Sequence, residues 1–346
     1  MFNTLKKTSL ALLVASTVFV QFSCKNDDPE ADKLGNWYRN GIPNFGGSAR
    51  ARSVSFLIGN KGYIGTGLTN ETTPRVKDMW SYDATTKIWS QVAPFPGSGR
   101  YDAASFVLGG KAYVGAGFDG VVTAADGGYK KDFYEYDPAT NKWSPIADFL
   151  GGTRQYATSF VVNNRAYVGL GLNGSNYYQD FYEYNPTTDK WSEIATFTGG
   201  KRRGAVAFTV GDKAYVGFGV NNSSAETKDI YSFDPAGNGG QGSWTKIVHD
   251  AAQIDNFPAR SHALALVINE KAYVVGGAGK SDVWEYVPGS NTWTEVASFP
   301  SGGRGFAGGF SVGNIGYFGT GSSTGSNGLD DFWAFDPTAA QDDDDN

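Results

Sequence analysis

Residues 100–146 read RYDAASFVLGGKAYVGAGFDGVVTAADGGYKKDFYEYDPATNKWSPI, and the order of residue types in this stretch decides the fold. Ala103–Leu108 and Ala112–Gly117 are short and rich in small, β-branched and aromatic residues. They flank Gly109-Gly110, a two-residue hairpin turn. Asp132–Tyr136 and Lys142–Ile146 flank Asp137-Pro138-Ala139-Thr140-Asn141, whose Asp, Pro and Asn favour a second tight turn. A single sheet of four such strands cannot bury its faces alone, so it needs copies of itself on either side.

The copies are present. A tyrosine recurs at Tyr63, Tyr113, Tyr167, Tyr215, Tyr273 and Tyr317. Thirteen residues before each stands an arginine: Arg50, Arg100, Arg154, Arg202, Arg260 or Arg304. Seven residues before each stands Phe56, Phe106, Phe160, Phe208, Leu266 or Phe310. An acid follows at Asp78, Asp132, Asp180, Asp229, Asp282 and Asp331, and a tryptophan at Trp89, Trp143, Trp191, Trp244 and Trp293. The period is about 51 residues. Four-stranded antiparallel sheets repeated radially form a β-propeller. The sixth unit reaches Asp336-Pro337 without a Trp strand, while Trp37-Tyr38-Arg39 precedes Arg50 at nearly the internal Trp-to-Arg spacing. The expected fold is therefore all-β, a six-bladed propeller closed by the N-terminal strand pairing with the C-terminal blade.

The Tyr-Val-Gly-x-Gly, Asp-x-aromatic-x-aromatic-Asp-Pro and Trp marks resemble kelch repeats, from about Trp37 to Pro337. Adjacent glycines, usual in kelch, occur only at Gly276-Gly277; the other five units carry Gly-x-Gly. The resemblance implies a kelch-type propeller and, by analogy, an interaction module. Composition agrees: 47 glycines and 15% aromatics favour short strands and tight turns, and 18% charged residues is little for a long helical protein.

Composition also excludes chemistry. Cys24 is the only cysteine and His249 and His262 are the only histidines, which rules out an internal disulfide and a Cys-based zinc site. No metal and no cofactor is expected. The net charge is −6 with no basic run, so no nucleic-acid partner is expected either. Gly115-x-Gly117-x-x-Gly120 mimics a dinucleotide fingerprint, but a loop and a strand follow it where a helix would have to open.

Residues 1–23 read as a Sec-type secretory signal: Lys6 and Lys7, then an apolar run from Thr8 to Val20 too short to span a bilayer. Val20-Gln21-Phe22-Ser23-Cys24 resembles a bacterial lipobox, which implies acylation of Cys24. Asp27 and Asp28 resemble the surface-export signal of certain gram-negative lipoproteins. Residues 24–35 are then a lipid-anchored tether, 36–338 the propeller and 339–346 an acidic tail. The expected location is the outer membrane or cell surface, with membrane contact only through the anchor, and the chain is expected to be a monomer.

Connections between blades and the second-to-third-strand loops vary in length, from Ala278–Ser281 to Phe118–Lys131, so the functional face is placed there. The six arginines lie on that face. They form either a cationic funnel for an anionic ligand or, with their six aspartates, blade-locking ion pairs. The second reading takes precedence, because a binding site breaks the symmetry of its scaffold. The positions that break it follow the arginines. Tyr101, Tyr156 and Phe306 can stack on a sugar ring, and Arg52, Arg203, Asp102 and His262 can bind or exchange protons. Tyr129, Tyr177 and Tyr178 can extend an aromatic platform, whereas Glu71 and Glu226 read as solvated acids.

Two function classes follow. One is a non-catalytic propeller that binds a glycan or a protein on the inter-blade-loop face. The other is an enzyme. Galactose oxidase shares a kelch-like propeller, but its cross-linked Tyr–Cys copper site has no counterpart, since Cys24 precedes the propeller. A resemblance to the sialic-acid epimerases (mutarotases) would instead use Arg203, Asp102 and His262, although the long insert associated with that family is missing here.

Overall fold

The computed structural model describes residues 33–249, 257–323 and 327–342. The leader, Cys24, most of the tether and the last four residues lie outside the described residues.

Six four-stranded antiparallel sheets form six blades. Blade 2 is representative. Ala104–Leu108 pairs with Lys111–Gly115, which pairs with Phe133–Asp137, which pairs with Lys142–Ile146. Leu108 faces Lys111 across Gly109 and Gly110, both with φ between 60° and 78°, which makes the turn a left-handed two-residue type that glycine adopts freely. The blades begin with Val54–Ile58, Ala104–Leu108, Thr158–Val162, Val206–Val210, Leu264–Ile268 and Gly308–Val312. These innermost strands line a central channel with small side chains, among them Ser55, Ser105, Ser159, Ala207 and Ala265.

Blade 6 closes as the spacing predicts. Leu34–Tyr38 pairs antiparallel with Phe332–Ala340, bringing Trp37 opposite Phe335. The ladder runs beyond the expected limits of 36 and 338, because a bulge between Leu34 and Asn36 lets Leu34 reach Ala340. The Leu34 carbonyl also accepts from the Ala297 amide of blade 5. Asn36 Oδ1 accepts from the Asp342 amide, so the tail is tied down at its start.

The core lies between the blades rather than within them. Among the described residues it divides into six apolar clusters, each shared by two neighbouring blades. The fourth-strand tryptophans bolt these seams. Trp143, Trp191 and Trp244 each donate Nε1–H to a carbonyl of the preceding blade, at Ala93, Ala147 and Ala195. Trp37 does the same to Ala297 at 3.1 Å. In blade 5 the acceptor is replaced by His249, whose imidazole faces Trp293 at 3.4 Å and is held below its usual pKa by burial.

Candidate functional site

The six repeated arginines form the base of the site. All are buried, at 0–2% exposure, and each pairs with the aspartate that opens the third strand of its blade, from Arg50–Asp78 at 2.7 Å to Arg304–Asp331 at 2.5 Å. Each guanidinium also lies over a phenylalanine of the preceding connection, 4.6–5.0 Å from the ring centroid. That phenylalanine packs on the tryptophan of the same blade, as Phe95 does on Trp143 and Phe299 on Trp37. The Asp-x-aromatic mark now has a physical reason: the indole N–H of Trp80, Trp284 and Trp333 donates to Asp78, Asp282 and Asp331. The ring is thus occupied by intramolecular partners and offers no funnel of open charge.

Each arginine fixes one more thing. Its Nη1 donates to a carbonyl sixteen residues later, at Thr66, Ala116, Leu170, Phe218, Gly276 or Thr320. Its own carbonyl accepts from the glycine that follows the corresponding residue of the neighbouring blade, as Arg100 O does from Gly67 N–H and Arg50 O from Gly321 N–H. Backbone and side chain together lock the chain segment just beyond.

That segment carries the candidate residues. Two positions after the ring arginines stand Arg52, Asp102, Tyr156, Gly204, His262 and Phe306, and all six have φ between 54° and 61°. Left-handed backbone costs a non-glycine residue on the order of 1–2 kcal/mol. Five backbone hydrogen bonds between neighbouring blades hold it: Asp102 N–H to Arg52 O, Tyr156 to Asp102, His262 to Gly204, Phe306 to His262 and Arg52 to Phe306, at 2.9–3.1 Å. The turn throws one side chain per blade across the channel mouth. Together they line a cavity of about 200 Å³. Gly204 is the exception. A Cβ there would lie 2.3 Å from His262 Cε1, so the missing side chain makes room for the imidazole.

Arg52 is the centre of the group. Its Nη1 donates to Asp102 at 2.9 Å and to the Tyr156 hydroxyl, and its guanidinium lies over Phe306 at 4.6 Å and Tyr101 at 5.4 Å. His262 stacks on Phe306 at 4.1 Å and meets Tyr156 at 4.9 Å. Burial, aided by the Arg203 and Arg52 charges, pushes the imidazole down to about 3, so it is neutral at working pH. Burial pushes the Asp102 carboxyl up to about 6 and outweighs the opposing pull of Arg52. Arg203 approaches the Tyr156 ring at 5.3 Å and the Tyr177 ring at 6.0 Å and forms no ion pair with an acid among the described residues, although its charge helps hold Asp102 down, while its Nε is buried without a partner.

Asp102 sets a pH dependence. An unfolded Asp titrates near pH 3.9. The folded chain holds this proton more tightly, so Asp102 stabilises the fold fully below that value and progressively less as pH rises through about 6. Compared with Asp102→Asn, the unaltered chain should lose on the order of 2–3 kcal/mol of relative stability between about pH 4 and 7. Urea unfolding of both proteins at the two pH values checks this; an unchanged gap rules it out.

The cavity thus gathers Arg52, Asp102, Tyr156, His262 and Phe306, with Tyr101 and Arg203 packed around the group. Tyr129 lies apart, against Phe118 at 4.8 Å, and Tyr178 covers ring Arg154 at 4.0 Å. Glu226 is engaged by Ser261 at 2.7 Å and Lys280 at 3.0 Å, and Glu71 is exposed. Two polar residues of this face are absent from the sequence-based candidates. Gln155 leaves Oε1 buried without a partner, and so does Arg75 its Nε. Gln155 shares the register of Tyr101 and Arg203, a positional signal that could have found it. Arg75 lies in a loop with no repeat counterpart.

The KLHDC2/KLHL20/DRC7 Kelch-repeats domain matches residues 150–277, and the Kelch motif matches residues 99–150 and 259–300. No curated protein matches the chain in sequence. Among solved structures the chain is similar to that of YjhT, with a TM-score of 0.70 and 19% identity over 84% of this chain and 96% of that one. At that identity the likeness shows the fold. The chain therefore carries kelch repeats in a kelch-type six-bladed propeller, a scaffold suited to ligand binding or protein interaction.

Proposed function

We propose that the chain is a binding propeller whose channel mouth takes a glycan bearing an anionic group. The observation that carries this reading is Arg203. Its guanidinium forms no ion pair with an acid among the described residues, its charge reaching Asp102 only beyond ion-pair distance, and it lies beside the aromatic rings of Tyr156 and Tyr177. A guanidinium fork matches a carboxylate, and aromatic faces suit the apolar face of a sugar ring. The neutral His262 and the Gln155 amide add hydrogen-bonding capacity without repelling an anion. We further propose that the protein is exported, acylated at Cys24 and displayed at the outer membrane. Metabolic palmitate labelling should mark the unaltered chain and not Cys24→Ser; equal labelling of both rejects the anchor.

The test of binding is a glycan array of acidic and neutral sugars, followed by titration of Arg203→Ala. Loss of one charge-assisted contact should weaken an acidic hit by about 10–100-fold. An acidic hit indifferent to Arg203→Ala overturns the assignment, and silence on every glycan points to a protein ligand on the same face.

A catalytic version of this site has one specific observation in its favour: Asp102, titrating near 6, faces the cavity beside neutral His262. Such a group can exchange protons at neutral pH, as a sialic-acid mutarotase-like reaction requires. Faster anomer exchange by NMR, retained binding and lost exchange in Asp102→Asn would establish it; exchange at the uncatalysed rate would reject it.

A further inference from the structure

Among the described residues only three arginines form no ion pair with a carboxylate: Arg39, Arg75 and Arg203. Arg39 is on the outer edge, bonded to Asn44 and covering Trp333. The other two share the mouth face. Arg75 leaves the blade 1 loop and crosses to blade 2, where a Cβ on Gly120 would lie 2.3 Å from its Cζ. Gly120 is the residue that leaves this space, and its φ of +70° suits glycine. The Nε atoms of Arg75 and Arg203 are both buried without a partner, so each stem is packed in place.

The two arginines end one ribbon. Arg75 reaches Gly120, two residues beyond Phe118, and Phe118 bridges the Tyr101 backbone and meets its ring at 5.6 Å. Tyr101 lies against Arg52 at 5.4 Å, Arg52 against Tyr156 at 5.6 Å, and Tyr156 against Arg203 at 5.3 Å. Arg52 in the middle is compensated by Asp102. Along the ribbon Arg52 is ion-paired, while Arg75 and Arg203 at its ends hold no carboxylate within ion-pair distance, Arg203 acting on Asp102 only from farther away. One carboxylate fills one guanidinium fork. With Tyr101, Arg52 and Tyr156 between the two forks, a single small anion cannot engage both.

We propose that the mouth holds two anion subsites, at Arg203 and Arg75, bridged by Tyr101 and Tyr156, and that its ligand is an acidic oligosaccharide with anionic groups on at least two of its sugars. This rests on the glycan reading above and adds a second subsite to it. Two contacts on one chain multiply affinity through effective concentration, whereas a lone sugar acid engages one fork at a time and gains no such factor.

The experiment titrates the folded protein with galacturonate and with di-, tri- and tetragalacturonate, using maltotetraose as the neutral control. Affinity should rise at least 30-fold from the monomer to the tetramer. Arg75→Ala should remove most of that rise, bringing the tetramer's affinity down towards that of the monomer. Arg203→Ala should weaken every acidic ligand, and Arg75→Lys should recover part of the rise. Thermal melts confirm that each variant is folded. Equal affinity for monomer and tetramer, or a tetramer indifferent to Arg75→Ala, overturns the second subsite while binding sensitive to Arg203 keeps the mouth reading intact. A protein that ignores all galacturonides but binds another acidic glycan through Arg203 overturns the inference alone.

Discussion

Trp37→Ala should destabilise the protein by about 3–5 kcal/mol, and a chain shortened to begin at Asn44 should lose its cooperative transition altogether. Trp37 is fully buried. Its indole stacks on Phe335 at 4.5 Å, meets Phe299 and Phe318 edge-on at 5.0 and 5.9 Å, and donates to the Ala297 carbonyl. Truncation leaves a cavity and an unpaired buried carbonyl, two costs that add. Position in the ring adds a third. Trp37 comes from the opposite end of the chain to the blade it completes, so its strand fastens blade 6 and the seam with blade 5 together. At about 2–4 °C per kcal/mol for domains approaching this size, the melting temperature should fall by roughly 10 °C. Trp89→Ala is the comparison: half-buried, with Nε1 unpartnered, Trp89 has less to lose. Thermal melts followed by near-ultraviolet circular dichroism check both. If Trp37→Ala melts within a degree or two of the unaltered chain, the ring is not held by this strand.

The propeller was legible because its repeat is written in residues that do the same thing six times. The spacing from arginine to tyrosine holds in every blade, and so does the geometry behind it: arginine to aspartate, phenylalanine and a carbonyl sixteen residues on. The missing sixth tryptophan was legible for the same reason, as a gap in a regular series. The site was legible only in part. Arg202 and Arg203 are adjacent in sequence and look alike. In an extended segment neighbouring side chains leave opposite faces, so Arg202 enters the seam to meet Asp229 while Arg203 turns to the mouth. The alternation predicts that they differ but not what each meets. The shared left-handed backbone at Arg52, Asp102, Tyr156, His262 and Phe306 was not legible: Asp and His visit that conformation more readily than most residues, but Arg, Tyr and Phe seldom do, so no common residue type marks the position. It is held by hydrogen bonds from one blade to the next, a property of neighbouring blades together. Arg75 escaped notice because no register links its loop to the others.

The second large effect is expected at the arginine ring. Asp331→Ala should cost about 3–5 kcal/mol at pH 7, because it strands the guanidinium of Arg304 in a seam where water cannot replace the lost partner. Arg304 is 2% exposed and donates from Nη1 at 2.5 Å and Nη2 at 2.8 Å to the two carboxylate oxygens. Asp331 also accepts from Trp333 Nε1 at 2.9 Å and Ser301 at 3.2 Å. The reverse change, Arg304→Met, should cost less: it keeps most of the packing volume, and Asp331, at 14% exposure, can take up some water. Protonation gives a second signature. Burial raises the Asp331 carboxyl, but the hydrogen bond and charge of Arg304, with the Trp333 and Ser301 bonds, more than reverse this and hold it below its usual range. A depressed folded value means stability that is complete above the unfolded pKa, about 3.9, and is lost as pH falls through the folded one. The gap between the unaltered chain and Asp331→Ala should therefore be full at pH 7 and shrink below about pH 4. This is opposite in sign to Asp102, whose contribution grows towards acid. Urea titrations at pH 7, 4 and 3 separate the two carboxylates. A gap under about 1 kcal/mol at pH 7, the size of an exposed surface pair, would mean that the ring pairs are passengers in a fold held by its aromatic seams.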